Sequence, residues 1–131
     1  MQTPPTHDIE IEVRFSDIDA YGHVNNAVFF TYLETARTRL FLEKFIEFGD
    51  DGLLFLVAKA ECEYRKPIDL ADRVIVSMHI ARIGNSSFDI AYRLHDNSGT
   101  TYAEANTVMV CYDRKQNRPV SMPAELKSAV C

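Results

Sequence analysis

The chain opens with an alternation. Ile9, Ile11, Val13 and Phe15 are interleaved with Glu10, Glu12 and Arg14, a period of two that predicts a strand with one buried face. From Asn26 to about Glu47 the period lengthens. Phe29, Leu33, Ala36 and Leu40 recur at spacings of four, three and four, and Phe30, Phe41 and Phe45 widen the stripe. This predicts a long helix, with Asn25 or Asn26 as its N-cap and Gly49 as its stop. Glu34 with Arg37, and Arg39 with Glu43, have the spacing of weak pairs on the outer helical face.

Alternation then returns. Ala58, Ala60, Cys62 and Tyr64 predict a strand that ends at Pro67, and Val74, Val76, Met78 and Ile80 predict the next. A turn at Gly84-Asn85 leads to Phe88, Ile90, Tyr92 and Leu94. Asp96-Asn97-Ser98-Gly99 is a second turn signal, and Thr101 to Tyr112 reads as the last long strand. Residues 1–7 hold two prolines and read as a loose arm; residues 114–131, polar with Pro119 and Pro123, read as a tail covering one end. The order β, long α, four β predicts a single α+β domain over 1–131, a five-stranded antiparallel sheet wrapped around one helix. Such a sheet leaves an outer face and two edges that oligomerisation would cover.

Composition narrows the class. With 131 residues, 47% of them hydrophobic and 25% charged, the chain suits one globular domain. A net charge of -5 argues against nucleic acid as a partner. The longest apolar run, Leu53 to Ala58, is too short to span a bilayer, so no membrane partner is expected. Asp8, Glu10 and Glu12 in the first apolar stretch are unlike a signal peptide. Cys62, Cys111 and Cys131 are odd in number and widely spaced, which reads as reduced thiols in a cytoplasmic protein. Neither they nor His79 and His95 show metal-ligand spacing; no metal and no cofactor are expected.

The densest chemistry lies between Arg14 and Asn26. Asp17 and Asp19 stand at the exit of the first strand, Gly22 and His23 follow, and Asn25 and Asn26 begin the helix. A carboxylate, an imidazole and a helix N-terminus this close can form a small hydrolytic site. The N–H groups near Asn26 and Ala27 lack intrahelical partners, and the helix dipole favours negative charge beside them. The carboxylate can attack directly or activate water, and the pattern leaves that open. Each residue also has a plainer role. Asp19 can make an Asx turn, Asp17 can be a structural acid near Arg14 or Arg37, and His23 can be held by backbone bonds. The asparagines are first of all caps, Glu34 is a solvated partner for Arg37, and the Phe29–Phe30–Leu33 stripe is core.

Phe15-Ser-Asp-Ile-Asp-Ala-Tyr-Gly-His-Val-Asn-Asn26, followed by Tyr32-Leu-Glu-Thr-Ala-Arg37, Tyr64-Arg-Lys-Pro67 and Arg82-Ile-Gly-Asn-Ser-Ser-Phe88, resembles the hotdog-fold acyl-CoA thioesterases of the 4-hydroxybenzoyl-CoA thioesterase-like family over residues 8–113. The resemblance implies Asp19, four residues before the His-Val-Asn-Asn run, as the catalytic carboxylate, with Glu34 as a rival because related subfamilies take theirs from the helix. Where hydroxybenzoyl-CoA members continue Pro-Ala-Gly, this chain has Ala20-Tyr21-Gly22-His23, which is more like members acting on fatty acyl-CoA. The implied substrate-binding set is His23, Asn25, Asn26, Ala27, Arg82, Ser86 and Ser87, with Arg65, Lys66, Lys115 and Arg118 as further charges for coenzyme A phosphates. The resemblance also implies a homodimer or a dimer of dimers, a homotetramer, with sites at subunit interfaces. The competing readings are a non-catalytic acyl-CoA binding or sensing module on this fold and a hotdog dehydratase acting on hydroxyacyl thioesters.

Overall fold

A computed structural model describes residues 6–49 and 52–130, except the side chains of 43–45, 48, 126, 129 and 130. Residues 1–5 of the expected arm, Cys131, the Phe45 ring and the Arg39–Glu43 pair lie outside that description. Strand β1 is His7–Ile11. A 3-10 turn at Phe15–Asp17 precedes helix α1, Val28–Gly49. Then come β2 (Leu53–Tyr64), β3 (Val74–Ile83), β4 (Ser87–His95) and β5 (Thr101–Asp113), and finally β6 (Arg118–Pro119) and helix α2 (Ala124–Val130). The sheet order is β1-β3-β4-β5-β2, with β6 added to β5 and every pairing antiparallel.

One face of the sheet closes on α1. Phe29, Tyr32, Leu33, Ala36 and Phe41 pack against Val74, Val76, Met78, Phe88, Ile90, Leu94 and Met109. These alternate along β3 and β4, so each strand gives its apolar set to one side. The expected stripe is buried at Phe29, Leu33, Ala36 and Phe41, and its margin differs. Phe30 faces outward, whereas Tyr32 and Arg37 turn in. Arg37 is 9% exposed, so it does not lie on the outer face, although Glu34 still stands 3.8 Å from it.

Three further differences have local causes. β2 starts five residues before the expected Ala58, and a bulge between Val57 and Lys59 breaks the period there. β1 begins at His7, inside the expected arm. The tail supplies the sixth strand: Asp113 Oδ1 accepts the Lys115 and Gln116 N–H groups, and the turn returns Pro119 to face Tyr112. The buried Met122 then fastens the tail to the β3–β4 turn through its N–H to the Asn85 carbonyl.

Candidate active site

The chain leaves β1 through a pinned corner. Asp17 is 2% exposed and accepts four hydrogen bonds. The Arg14 N–H and the Tyr32 hydroxyl reach Oδ2 at 2.9 and 2.7 Å; Arg14 Nε and Nη2 reach Oδ1 at 3.3 and 3.0 Å. Burial alone would push this carboxyl up. The Arg14 N–H, the Tyr32 hydroxyl and the Arg14 guanidinium outweigh it and hold Asp17 below the ordinary aspartate range. Burial and the neighbouring carboxylate push the Tyr32 phenol up, so it remains a donor. Asp17 has the plain structural role: it ties the strand exit to the helix.

The next residues form a small closed loop. Ile18 bridges Val24, the Asp19 N–H donates to the His23 carbonyl at 2.9 Å, and the Gly22 N–H donates to the Asp19 carbonyl at 3.0 Å. Gly22 has φ +84, a left-handed conformation that side chains resist, which explains a glycine here. Asp19 makes the Asx turn open to it, taking the Tyr21 N–H on Oδ1 at 2.9 Å. Its other oxygen has no partner among the described residues. His23 Nε2 lies 3.4 Å from Asp69 Oδ1, so a side chain rather than the backbone holds the ring.

Helix entry is capped by Asn25. Its Oδ1 accepts the Ala27 N–H at 2.9 Å and its carbonyl accepts the Val28 N–H at 2.9 Å. Its own N–H goes to the Asp17 carbonyl at 2.9 Å. The Ala27 N–H, one of the two expected oxyanion donors, is therefore already used. The Asn26 N–H has no partner among the described residues. Tyr64, at the end of β2, donates its hydroxyl to the Asn26 carbonyl at 2.8 Å, and its ring meets Phe29 edge-on at 4.9 Å. Val24, Asn26, Phe29, Tyr64, Lys66 and Pro67 line an open cleft of about 280 Å³ there.

The fold thus gathers Asp19, His23, Asn25, Asn26 and Ala27 at one end of the sheet. It does not bring Arg82, Ser86 and Ser87 to them. Ile11 faces Val74 at the start of β3, whereas these three sit around the hairpin at its far end, roughly 30 Å away along a ten-residue strand. Arg82 is also partly committed: its guanidinium contacts Asp89 Oδ1 at 2.9 and 3.1 Å and Ser87 Oγ at 3.0 Å. Glu34 is exposed on the helix. Sequence pattern assigns no role to Asp69 or to the Tyr64 hydroxyl; the alternation of β2 explains Tyr64 so fully as a strand residue that nothing flags its oxygen.

A second polar cluster lies on the outer face. Ser77 Oγ is 2.6 Å from Asp8 Oδ1 and 2.7 Å from His95 Nε2, a serine-histidine pair that invites a nucleophile reading. The Asn97 N–H rules it out by donating to His95 Nδ1 at 3.1 Å. The neutral ring therefore carries its proton on Nε2 and donates to Ser77, so it cannot take the serine proton. Among the described residues no three His, Cys, Asp or Glu side chains are grouped to hold a metal. No described helix is long and apolar enough to cross a membrane.

Known proteins share this architecture. The chain is 30% identical to a 1,4-dihydroxy-2-naphthoyl-CoA hydrolase of Thermosynechococcus vestitus, across 98% of this chain and 94% of that protein. It is 26% identical to the long-chain acyl-CoA thioesterase FadM of Escherichia coli, across 90% and 92%. A thioesterase from Thermus thermophilus, crystallised with coenzyme A and zinc, superposes with a TM-score of 0.83 at 34% identity, over 99% of this chain and 94% of that one. The model of the thioesterase-like superfamily matches residues 13–130. Strand exit, pinned loop, helix entry and every strand but β1 fall inside that match, and the chain belongs to the thioesterase-like superfamily, whose enzymes are thioester hydrolases.

Proposed function

We propose that the protein hydrolyses acyl-CoA thioesters of the fatty acyl class, with Asp19 as the catalytic carboxylate and the Asn26 N–H as an oxyanion donor. One observation carries the reading: a hydrogen-bonded loop holds a half-engaged carboxylate beside a helix entrance with an unpaired N–H. Attack on the thioester carbon drives the carbonyl electrons onto oxygen. An N–H at a helix start, in the positive end of the dipole, stabilises that charge by about 2.7–4 kcal/mol in comparable acyl-transfer sites. Collapse of the adduct re-forms the carbonyl and expels coenzyme A as thiolate. Asp19 serves either by adding to the carbon itself, giving an anhydride that water then cleaves, or by taking the proton of the attacking water.

The Ala27 N–H is held by Asn25 Oδ1, which leaves the Asn26 N–H as the donor in this reading. The aromatic edge of Phe29 and Tyr64 gives the acyl group an apolar wall. Arg82, Ser86 and Ser87 act on coenzyme A only if a second copy presents its hairpin to the Asp19 end of the first. A site at a subunit interface in a homodimer or a dimer of dimers would meet that condition. The long β2 edge, with Leu56, Val57 and Tyr64 exposed, supplies unpaired backbone for such an association.

The test is free-thiol release from a panel of aliphatic and aromatic acyl-CoAs. Asp19→Asn is expected to lose activity on the order of 10²–10⁴. Equal rates in the two proteins would remove Asp19 from the mechanism. Tight binding without turnover across the panel would identify a binding module instead, and preference for aromatic acyl groups would overturn the fatty acyl assignment.

A further inference from the structure

We propose that Tyr64 is a positioning residue for this hydrolysis: its hydroxyl, by taking the Asn26 carbonyl, keeps the helix entrance in the arrangement that leaves the Asn26 N–H free for the substrate. The proposal rests on the reading of Asn26 given above.

In a regular helix the Asn26 carbonyl would accept the Phe30 N–H. Here the Phe30 N–H goes instead to Ala27, three residues back, at 3.2 Å, and the Val28 N–H goes to Asn25, also three back, at 2.9 Å. The first turn is therefore tightened, and the Asn26 carbonyl is left out of the ladder. Tyr64 satisfies it at 2.8 Å. The peptide between Asn26 and Ala27 is then held at both ends, by Tyr64 on its oxygen and by Asn25 Oδ1 on its N–H. The preceding peptide is held by its carbonyl alone, and its N–H, that of Asn26, is presented.

Tyr64 has the stiffness this requires. It pairs with Ala103 in the sheet, its ring is braced edge-on against Phe29, and burial pushes its phenol pKa up, so it stays protonated as a donor. Without the hydroxyl, the Asn26 carbonyl regains its ordinary partner in Phe30. The peptide units then rotate toward a regular helical turn, and the Asn26 N–H turns with them.

Tyr64→Phe removes one oxygen and keeps the ring. Its kcat is expected to fall about three- to tenfold, the worth of one hydrogen bond, with KM within about twofold and an unchanged melting temperature. A structural role alone would not move the second readout, the infrared stretch of the isotope-labelled thioester carbonyl of decanoyl-CoA bound to Asp19→Asn. Donation to that oxygen lowers the frequency. In Asp19→Asn/Tyr64→Phe the lowering is expected to shrink. Undiminished kcat in Tyr64→Phe, or the same frequency in both proteins, would overturn the role of Tyr64. An unshifted frequency already in Asp19→Asn would overturn the Asn26 donor itself, and the role of Tyr64 with it.

Discussion

The helix entrance and the outer-face relay are equally rich in polar groups and differ in how completely those groups are used. In the Asp8–Ser77–His95–Asn97 relay each donor finds an acceptor, so the relay pins β1, β3 and β4 together. At the entrance the matching is incomplete. Asp17 is saturated, but two residues later Asp19 keeps a free oxygen, and Asn26 keeps a free N–H among the described residues. Saturation yields stability, and the unpaired remainder is what the proposed chemistry draws on.

The comparison is broken most severely by exchanging the two behaviours. Asp19→Asn is expected to lose a rate factor on the order of 10²–10⁴ in thiol release and little stability, whereas Ser77→Ala leaves the rate within about twofold. Asp17→Ala should show the reverse emphasis. It strands the Tyr32 hydroxyl and the Arg14 N–H, and a cost of about 2–4 kcal/mol in urea unfolding is expected. A loss below about 0.5 kcal/mol would show that the corner is not what fastens strand to helix.

Acid sharpens the contrast on both sides. The fold holds Asp17 below its ordinary value of 3.8, so the unfolded chain binds protons first. Its contribution is complete above that value and fades as the pH falls through the lower, folded one. Burial and Arg93 hold His95 below its ordinary value of 6.5, despite the opposing charges of Asp8 and Asp96. Stability should therefore decline from about 6.5 downward, and His95→Gln should flatten that limb while Asp17→Asn flattens the lower one. Chemical denaturation across pH separates the two. The smallest effect is that of Ser77→Ala on stability, about 1 kcal/mol.

Much of this was legible in the chain. Alternation marks β3, β4 and β5, whose apolar residues are largely buried, and β2, which alternates in sequence although none of its residues is buried; the helix follows from its stripe. What escaped has physical causes. A bulge shifts the faces within β2, so period counting found only its second half. Spacing alone puts Arg37 on the buried stripe, eight residues after Phe29 and four after Leu33; its charge and its pairing distance to Glu34 point to the outer face instead. That Asp17 is held by a tyrosine fifteen residues away in sequence is legible only once the helix packs. Tyr64 reaches across 38 residues to a backbone oxygen, and no local pattern records such a bond.

The loop between Ile18 and Val24 has a consequence for how such a site changes over generations. Its base is fixed by the bridge and by the Asp19 to His23 bond, while its tip carries the exposed Tyr21 and the open space around Gly22. Selection can therefore rewrite the tip, or lengthen it, without displacing the carboxylate below. The anchored base and the open tip are thus separable, although Asp19 and Tyr21 stand only two residues apart.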